Sequence, residues 1–116
     1  MIIRSESIGG SIVKDDENYI VRDNKALTDL VLSSTKLHPN KSTTGHKHDG
    51  QEEVYIIQEG WGKMELDGRT HKILTGDIVL VPAGVFHRVH AGPDGCYFLC
   101  VFNGERYDHV AVLGYD

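Results

Sequence analysis

The sequence has only two cysteines, three prolines and one tryptophan in 116 residues. It also lacks any apolar run near the roughly 18 residues that a membrane-spanning helix needs. The opening residues, Met1 to Glu6, hold no apolar stretch long enough for a signal peptide, so a cytoplasmic protein is expected. Cys96 and Cys100 lie in one apolar run. On a strand they would stand about 13 Å apart at roughly 3.3 Å per residue. A disulfide needs Cα atoms within about 7 Å, so two free thiols packed in the core are expected. Positive charge is the scarcer sign: 12 Lys and Arg against 17 Asp and Glu give a formal net charge of −5. That balance argues against nucleic acid or an anionic membrane surface as partner, because phosphates need clustered cations. A small phosphorylated substrate, which needs only one or two local donors, stays open.

Glycine, by contrast, is plentiful, with 13 residues breaking the chain at short intervals. Between the breaks lie short runs of Val, Ile, Leu, Tyr and Phe. This pattern predicts many short strands and therefore a β-sandwich or barrel. Strands are expected at Ser11–Val13, Tyr19–Val21, Asp29–Leu37, Thr44–His48, Glu53–Glu59, Gly62–Leu66, Thr70–Leu74, Ile78–Val81, Phe86–His90 and Cys96–Phe102. The best helical candidate is Asp23–Leu32, although its end runs on naturally into a strand. Asp67-Gly68 suits a tight hairpin turn. Glu59-Gly60, Thr75-Gly76-Asp77, Pro82-Ala83-Gly84 and Pro93-Asp94-Gly95 read as further turns or strand stops. There is no repeat and no linker, and the length suits one domain over residues 1–116.

Seven histidines are present, and three fall in a patterned arrangement. His46-Lys47-His48 places two imidazoles on one face of a strand, with Thr44 on the same face. Glu53 follows after an expected turn at Asp49-Gly50-Gln51 and leads an apolar strand that can lie beside His48. Tyr55 shares its parity and should line the same cavity. The corner Pro82-Ala83-Gly84 lets His87 enter a strand facing that cavity. His46, His48, Glu53 and His87 are therefore the candidate metal ligands. Three imidazoles and one carboxylate suit one divalent first-row ion: Fe, Ni, Zn, Mn or Cu. Four protein ligands on an octahedral ion leave two neighbouring positions open for a substrate, or for a substrate and a water.

With these residues in view, the chain resembles the cupin superfamily. Its first motif reads here as Gly45-His46-Lys47-His48, then Glu53, then Gly60; its second as Gly76, then Pro82-Ala83-Gly84, then His87. The Asn that usually closes the second motif is Ala91 here, a departure outside the ligand set. The resemblance covers residues 45 to 91. It implies an all-β fold, an antiparallel double-stranded β-helix of jelly-roll type, with a metal at the barrel centre and frequent dimerisation. One subgroup is similar in more detail: the archaeal-type cupin phosphoglucose isomerases. The similar segments are Thr43–His48, Glu53–Ile56, Gly60–Met64, Val81-Pro82, His87-Arg88, Phe98-Leu99 and Tyr107-Asp108-His109. Those enzymes are longer at the N-terminus and have two more residues between the His pair and the Glu.

Several functions share this ligand set. In an aldose–ketose isomerase acting on a sugar or sugar phosphate, the open positions hold the C1 and C2 oxygens. Tyr55 or His109 then moves the proton, and Thr43, Thr44 and Tyr55 touch the substrate. In an Fe(II) dioxygenase the same positions hold substrate and dioxygen. A non-catalytic module would bind a small oxygen-rich ligand without turnover. Plainer roles exist for the neighbours: Thr43 and Thr44 as partners for turn backbone, Tyr55 as barrel filling, His109 as a solvated tail residue. Arg88, next to a ligand, should point away from the metal, and His38, His71 and His90 read as surface or rim residues. A homodimer is expected, because Ile2-Ile3 and Ile12-Val13 look like edge elements needing cover.

Overall fold

Alternating burial along short strands dictates the architecture of the computed structural model, which describes residues 1–47 and 50–104. Seven strands form among the described residues: β1 (Ser11–Asp15), β2 (Tyr19–Asn24), β3 (Leu30–Leu37), β4 (Glu53–Leu66), β5 (Arg69–Leu74), β6 (Ile78–Val81) and β7 (His87–Asn103). Every pairing is antiparallel. The order is β1-β2-β3-β7-β4-β5, with β6 paired to β4. The described residues contain no helix, and no helix is long and apolar enough to cross a membrane. The all-β antiparallel barrel is thus the observed fold class.

The two longest strands carry the closure. The first half of β4 pairs with the second half of β7 and with β6. Its second half pairs with the first half of β7 and with β5. Each long strand therefore belongs to both layers and must bend between them. The bend falls where the β4–β7 register shifts, between Gly60↔Cys96 and Gly62↔Ala91. Trp61 there faces Gly92, Pro93, Asp94 and Gly95. The backbones approach closely enough that a Cβ on Gly60 would lie 2.2 Å from the Gly95 carbonyl oxygen, and one on Gly62 2.1 Å from that of His90. Glu59-Gly60 and Pro93-Asp94-Gly95 thus bend two continuous strands, rather than ending four separate ones as their turn chemistry predicts. A glycine-rich bulge gives local bending without ending a ladder.

Two further expectations are corrected. Asp23–Leu32 forms no helix: β2 runs to Asn24 and β3 starts at Leu30, because both ends have in-register partners that outweigh local propensity. Thr44–His48 is not a regular strand. Its described part makes a single isolated bridge, His46↔His87, and Ser42 just before it makes another, with His90. Ser42 to His46 spans one residue more than His87 to His90, so the segment bulges. Side chains brace it: the Val89 N–H donates to Thr43 Oγ1 at 3.0 Å, and Arg88 Nε donates to the Thr43 carbonyl at 2.8 Å. His90 adds a link from Ser42 Oγ, 2.6 Å from its Nδ1, to Glu65 Oε1, 2.5 Å from its Nε2. The Asp67-Gly68 hairpin forms as expected, with positive φ at both residues.

Tyr19, Val21, Val31, Leu37, Tyr55, Ile57, Met64, Val89, Phe98 and Phe102 fill the space between the layers. Each fully buried aliphatic or aromatic side chain contributes about 1.5–3 kcal/mol relative to exposure. β1 is an edge strand, and Ile12 and Val13 on it are exposed, as is Ile2 before it. The corner glycine has a built-in control, because Gly68 has the same φ of +82° as Gly60 but nothing within 4 Å of its would-be Cβ. Gly68→Ala is expected to cost about 1–2 kcal/mol for the left-handed backbone alone. Gly60→Ala is expected to cost about 2–5 kcal/mol, because the steric overlap adds to that strain. Urea unfolding of the two variants compares them.

Candidate metal centre

Three ionisable side chains converge inside the barrel. Glu53 opens β4 and His87 opens β7, and both point inward by strand parity. His46 reaches the same place from the bulged segment: its N–H donates to the His87 carbonyl at 3.1 Å, and the His87 N–H donates to the His46 carbonyl at 3.0 Å. The two imidazole rings meet edge-on, with centroids 4.2 Å apart. All three side chains are buried, and their candidate ligand atoms lie within 4.8 Å of one another.

Glu53 Oε2 is 2.6 Å from His87 Nε2 and 3.3 Å from His46 Nε2. His87 Nδ1 lies 3.0 Å from the Val85 carbonyl, which can only accept, so the Nδ1 proton is fixed there. In a neutral imidazole Nε2 then presents a lone pair to a carboxylate oxygen. Two lone pairs at that distance repel unless a cation lies between them, a proton or a metal ion. The donor set suits a metal: imidazole and carboxylate ligands, one histidine oriented through its second nitrogen by a backbone carbonyl. The residues present therefore fit a divalent ion. His48, the fourth expected ligand, lies outside the described residues, as do Tyr107 and His109.

The centre opens on a cavity of about 20 Å³, room for one or two waters. Tyr19, Ser33, Thr35, Thr43, Tyr55, Phe98 and Cys100 line it together with the three ligand candidates. Tyr55 is buried against His87, with ring centroids 5.6 Å apart. Thr43 lines the cavity while its hydroxyl holds the Val89 N–H. Thr44 Oγ1 lies 3.3 Å from the Tyr19 hydroxyl, which also receives Lys14 Nζ at 3.0 Å. That chain of contacts links the protein surface to the cavity wall. Asp16 sets the turn that presents Tyr19: its Oδ1 accepts the N–H of Tyr19 and of Asn18, which holds its carboxyl below the ordinary value.

Sequence reasoning missed Tyr19, Ser33, Thr35 and Cys100. Inward parity on β2, β3 and β7 was their only signal, and it becomes readable once the register is known. Both cysteines are free and buried, as expected. Burial pushes the Cys96 thiol up to about 11, which keeps it protonated and unreactive at neutral pH. Arg88 braces Thr43 and also lines the cavity. His90 is more than a rim residue, since it bridges Ser42 and Glu65.

Comparison with known proteins agrees with this fold. The family described as the cupin domain matches residues 33–102. Dimethylsulfoniopropionate lyase DddW of Ruegeria pomeroyi is 29% identical over 82 residues, 71% of this chain and 53% of that protein. An oxalate-binding protein of Thermotoga maritima is 34% identical over 72 residues, 61% of this chain and 60% of that protein. A 5-nitrosalicylic acid 1,2-dioxygenase of Bradyrhizobium sp. is 33% identical over 58 residues, 50% of this chain and 28% of that protein. The chain thus spans between about a quarter and three fifths of these relatives' own lengths. Among solved structures, KdgF from Halomonas sp. superimposes with a TM-score of 0.75 at 19% identity, over 91% of this chain and 94% of that one. A predicted oxalate decarboxylase from Thermotoga maritima does so with a TM-score of 0.70 at 25% identity, over 89% and 98%.

Removing one ligand from an open site leaves the other donors misaligned and a buried charge uncompensated. His87→Ala and Glu53→Ala are each expected to weaken Zn(II) or Mn(II) binding by more than about 100-fold, above the 10–100-fold typical of outer-shell partners. Titration calorimetry on chelator-stripped protein measures it.

Proposed function

Because the chain belongs to the cupin family, we propose that it is a metal-dependent cupin enzyme acting on a small carboxylate that binds in the cavity beside His46, Glu53 and His87. One observation carries this reading: a buried His–Glu–His cluster forms the floor of a cavity walled by hydroxyls. Its ion would be Fe, Ni, Mn or Zn, held by those three residues with His48 as the expected fourth. A bound divalent ion supplies positive charge next to the substrate oxygens. Thr43, Ser33 and Thr35 orient those oxygens, and the surrounding aromatic and aliphatic side chains limit the water that can enter. Tyr55, packed on His87, serves as the acid/base group.

The relatives' names support a carboxylate. Dimethylsulfoniopropionate, 5-nitrosalicylic acid and oxalate are all carboxylic acids or their anions. Arg88, the one arginine or lysine among the described lining residues, adds a matching charge. The aldose–ketose isomerase suggested by the subgroup resemblance is the second reading, favoured by the inward Tyr55. It asks for more: a hexose phosphate needs phosphate donors beyond Arg88.

A screen of metal-loaded protein against short hydroxy- and keto-carboxylates, free aldoses and sugar phosphates, with and without oxygen, separates these readings. Metal-dependent turnover of a carboxylate is expected. Tyr55→Phe is expected to lower kcat about 10- to 100-fold, at or below the usual range for losing a general acid or base, with metal content unchanged. Turnover confined to aldoses, or none with any metal, contradicts the carboxylate assignment.

A further inference from the structure

The two carboxylate oxygens of Glu53 have different neighbours. Oε2 faces both imidazoles, whereas Oε1 accepts the Cys100 thiol at 3.2 Å. Cys100 is 5% exposed and Glu53 3%. The backbone fixes this contact. Cys100 pairs with Tyr55 across β4 and with Ser33 across β3, while Glu53 pairs with Phe102. Cys100 is therefore the diagonal inner-face neighbour of Glu53, on a strand held from both sides.

We propose that Cys100 is a positioning residue for the metal centre, holding Glu53 Oε1 so that the carboxylate offers the ion a single oxygen, Oε2. The proposal rests on the metal-binding reading above. A carboxylate can ligate through one oxygen or both, and its terminal torsion is broad, so Glu53 alone does not decide between them. A donor on Oε1 does. A thiol is a weak donor, but an ionised acceptor in a dry interior strengthens the bond. One-oxygen ligation leaves free the position that a chelating Glu53 would occupy, and so keeps it for substrate. A thiol that keeps its proton and donates it to Glu53 Oε1 is not itself a ligand, because metal binding requires the thiolate.

Full-length protein loaded with Co(II) reports this, since the visible absorption of cobalt follows the number and kind of its ligands. Cys100→Ala is expected to weaken Co(II) binding about 10-fold, the lower end of the outer-shell range, and to change the visible band. Cys100→Ser keeps a donor and is expected to restore the band and bring affinity within about 3-fold of wild type. Cys96→Ala removes the other buried thiol and is expected to change neither. If Cys100→Ala does not fold by circular dichroism, Cys100→Val fills the space without a donor and takes its place. Unchanged affinity and band in the donor-free variant overturn the proposal. A sulfur-to-cobalt charge-transfer band in the wild type also overturns it, by making Cys100 a ligand. Wild-type protein that takes up no Co(II), Zn(II) or Mn(II) overturns the metal reading itself, and this proposal with it.

Discussion

Glu53 Oε2 sits between two imidazole nitrogens in the barrel interior, and the rest of the site is arranged around that meeting. A buried carboxylate is tolerated only with compensating positive charge or donors, since an isolated one costs several kcal/mol even after the protein relaxes. Here three parts of the chain meet at the carboxylate: the bulged segment bearing His46, the start of β7 bearing His87, and the middle of β7 bearing Cys100. The pairing of β4 with β7 along nearly their whole lengths brings these parts to one point. The glycine corner lets that pairing continue through a change of layer, so the fold and the site depend on the same two strands.

The bulge at Ser42–His46 has a matching role. Regular pairing with β7 would set the segment's register by strand geometry alone. The extra residue shifts that register, and Thr43, Arg88 and the Ser42–His90–Glu65 link hold the shifted chain in place. Gln51, whose side-chain amide donates to the Asn103 carbonyl, ties the chain just before β4 to the end of β7. The polar contacts of Thr43 and Arg88 fix the approach of His46 to the centre.

Much of this was legible in the sequence, and the failures share one cause. His46, Glu53, Tyr55 and His87 could be read because a period of two sorts a strand's side chains without knowledge of its neighbours. The hairpin at Asp67-Gly68 could be read because its backbone angles demand those residues. Gly60 and Pro93-Asp94-Gly95 were misjudged because a glycine that bends a strand and one that ends it carry the same local signal; only the β4–β7 register separates them. Tyr19, Ser33, Thr35 and Cys100 reach the cavity from strands distant in sequence, and no spacing rule links them to the histidines. Arg88 shows another limit: parity alone turned it from the metal, yet it lines the cavity, and its bond to the Thr43 carbonyl depends on the bulge.

The central claim is that His46, Glu53 and His87 hold a metal ion rather than a shared proton. Anomalous diffraction at the absorption edge of the added metal, on crystals of loaded protein, tests it most directly. The account predicts one anomalous peak at the point where His46 Nε2, Glu53 Oε2 and His87 Nε2 converge, about 2.0–2.2 Å from each. Loaded crystals with no peak there, and His87 Nε2 still in direct contact with Glu53, would contradict it.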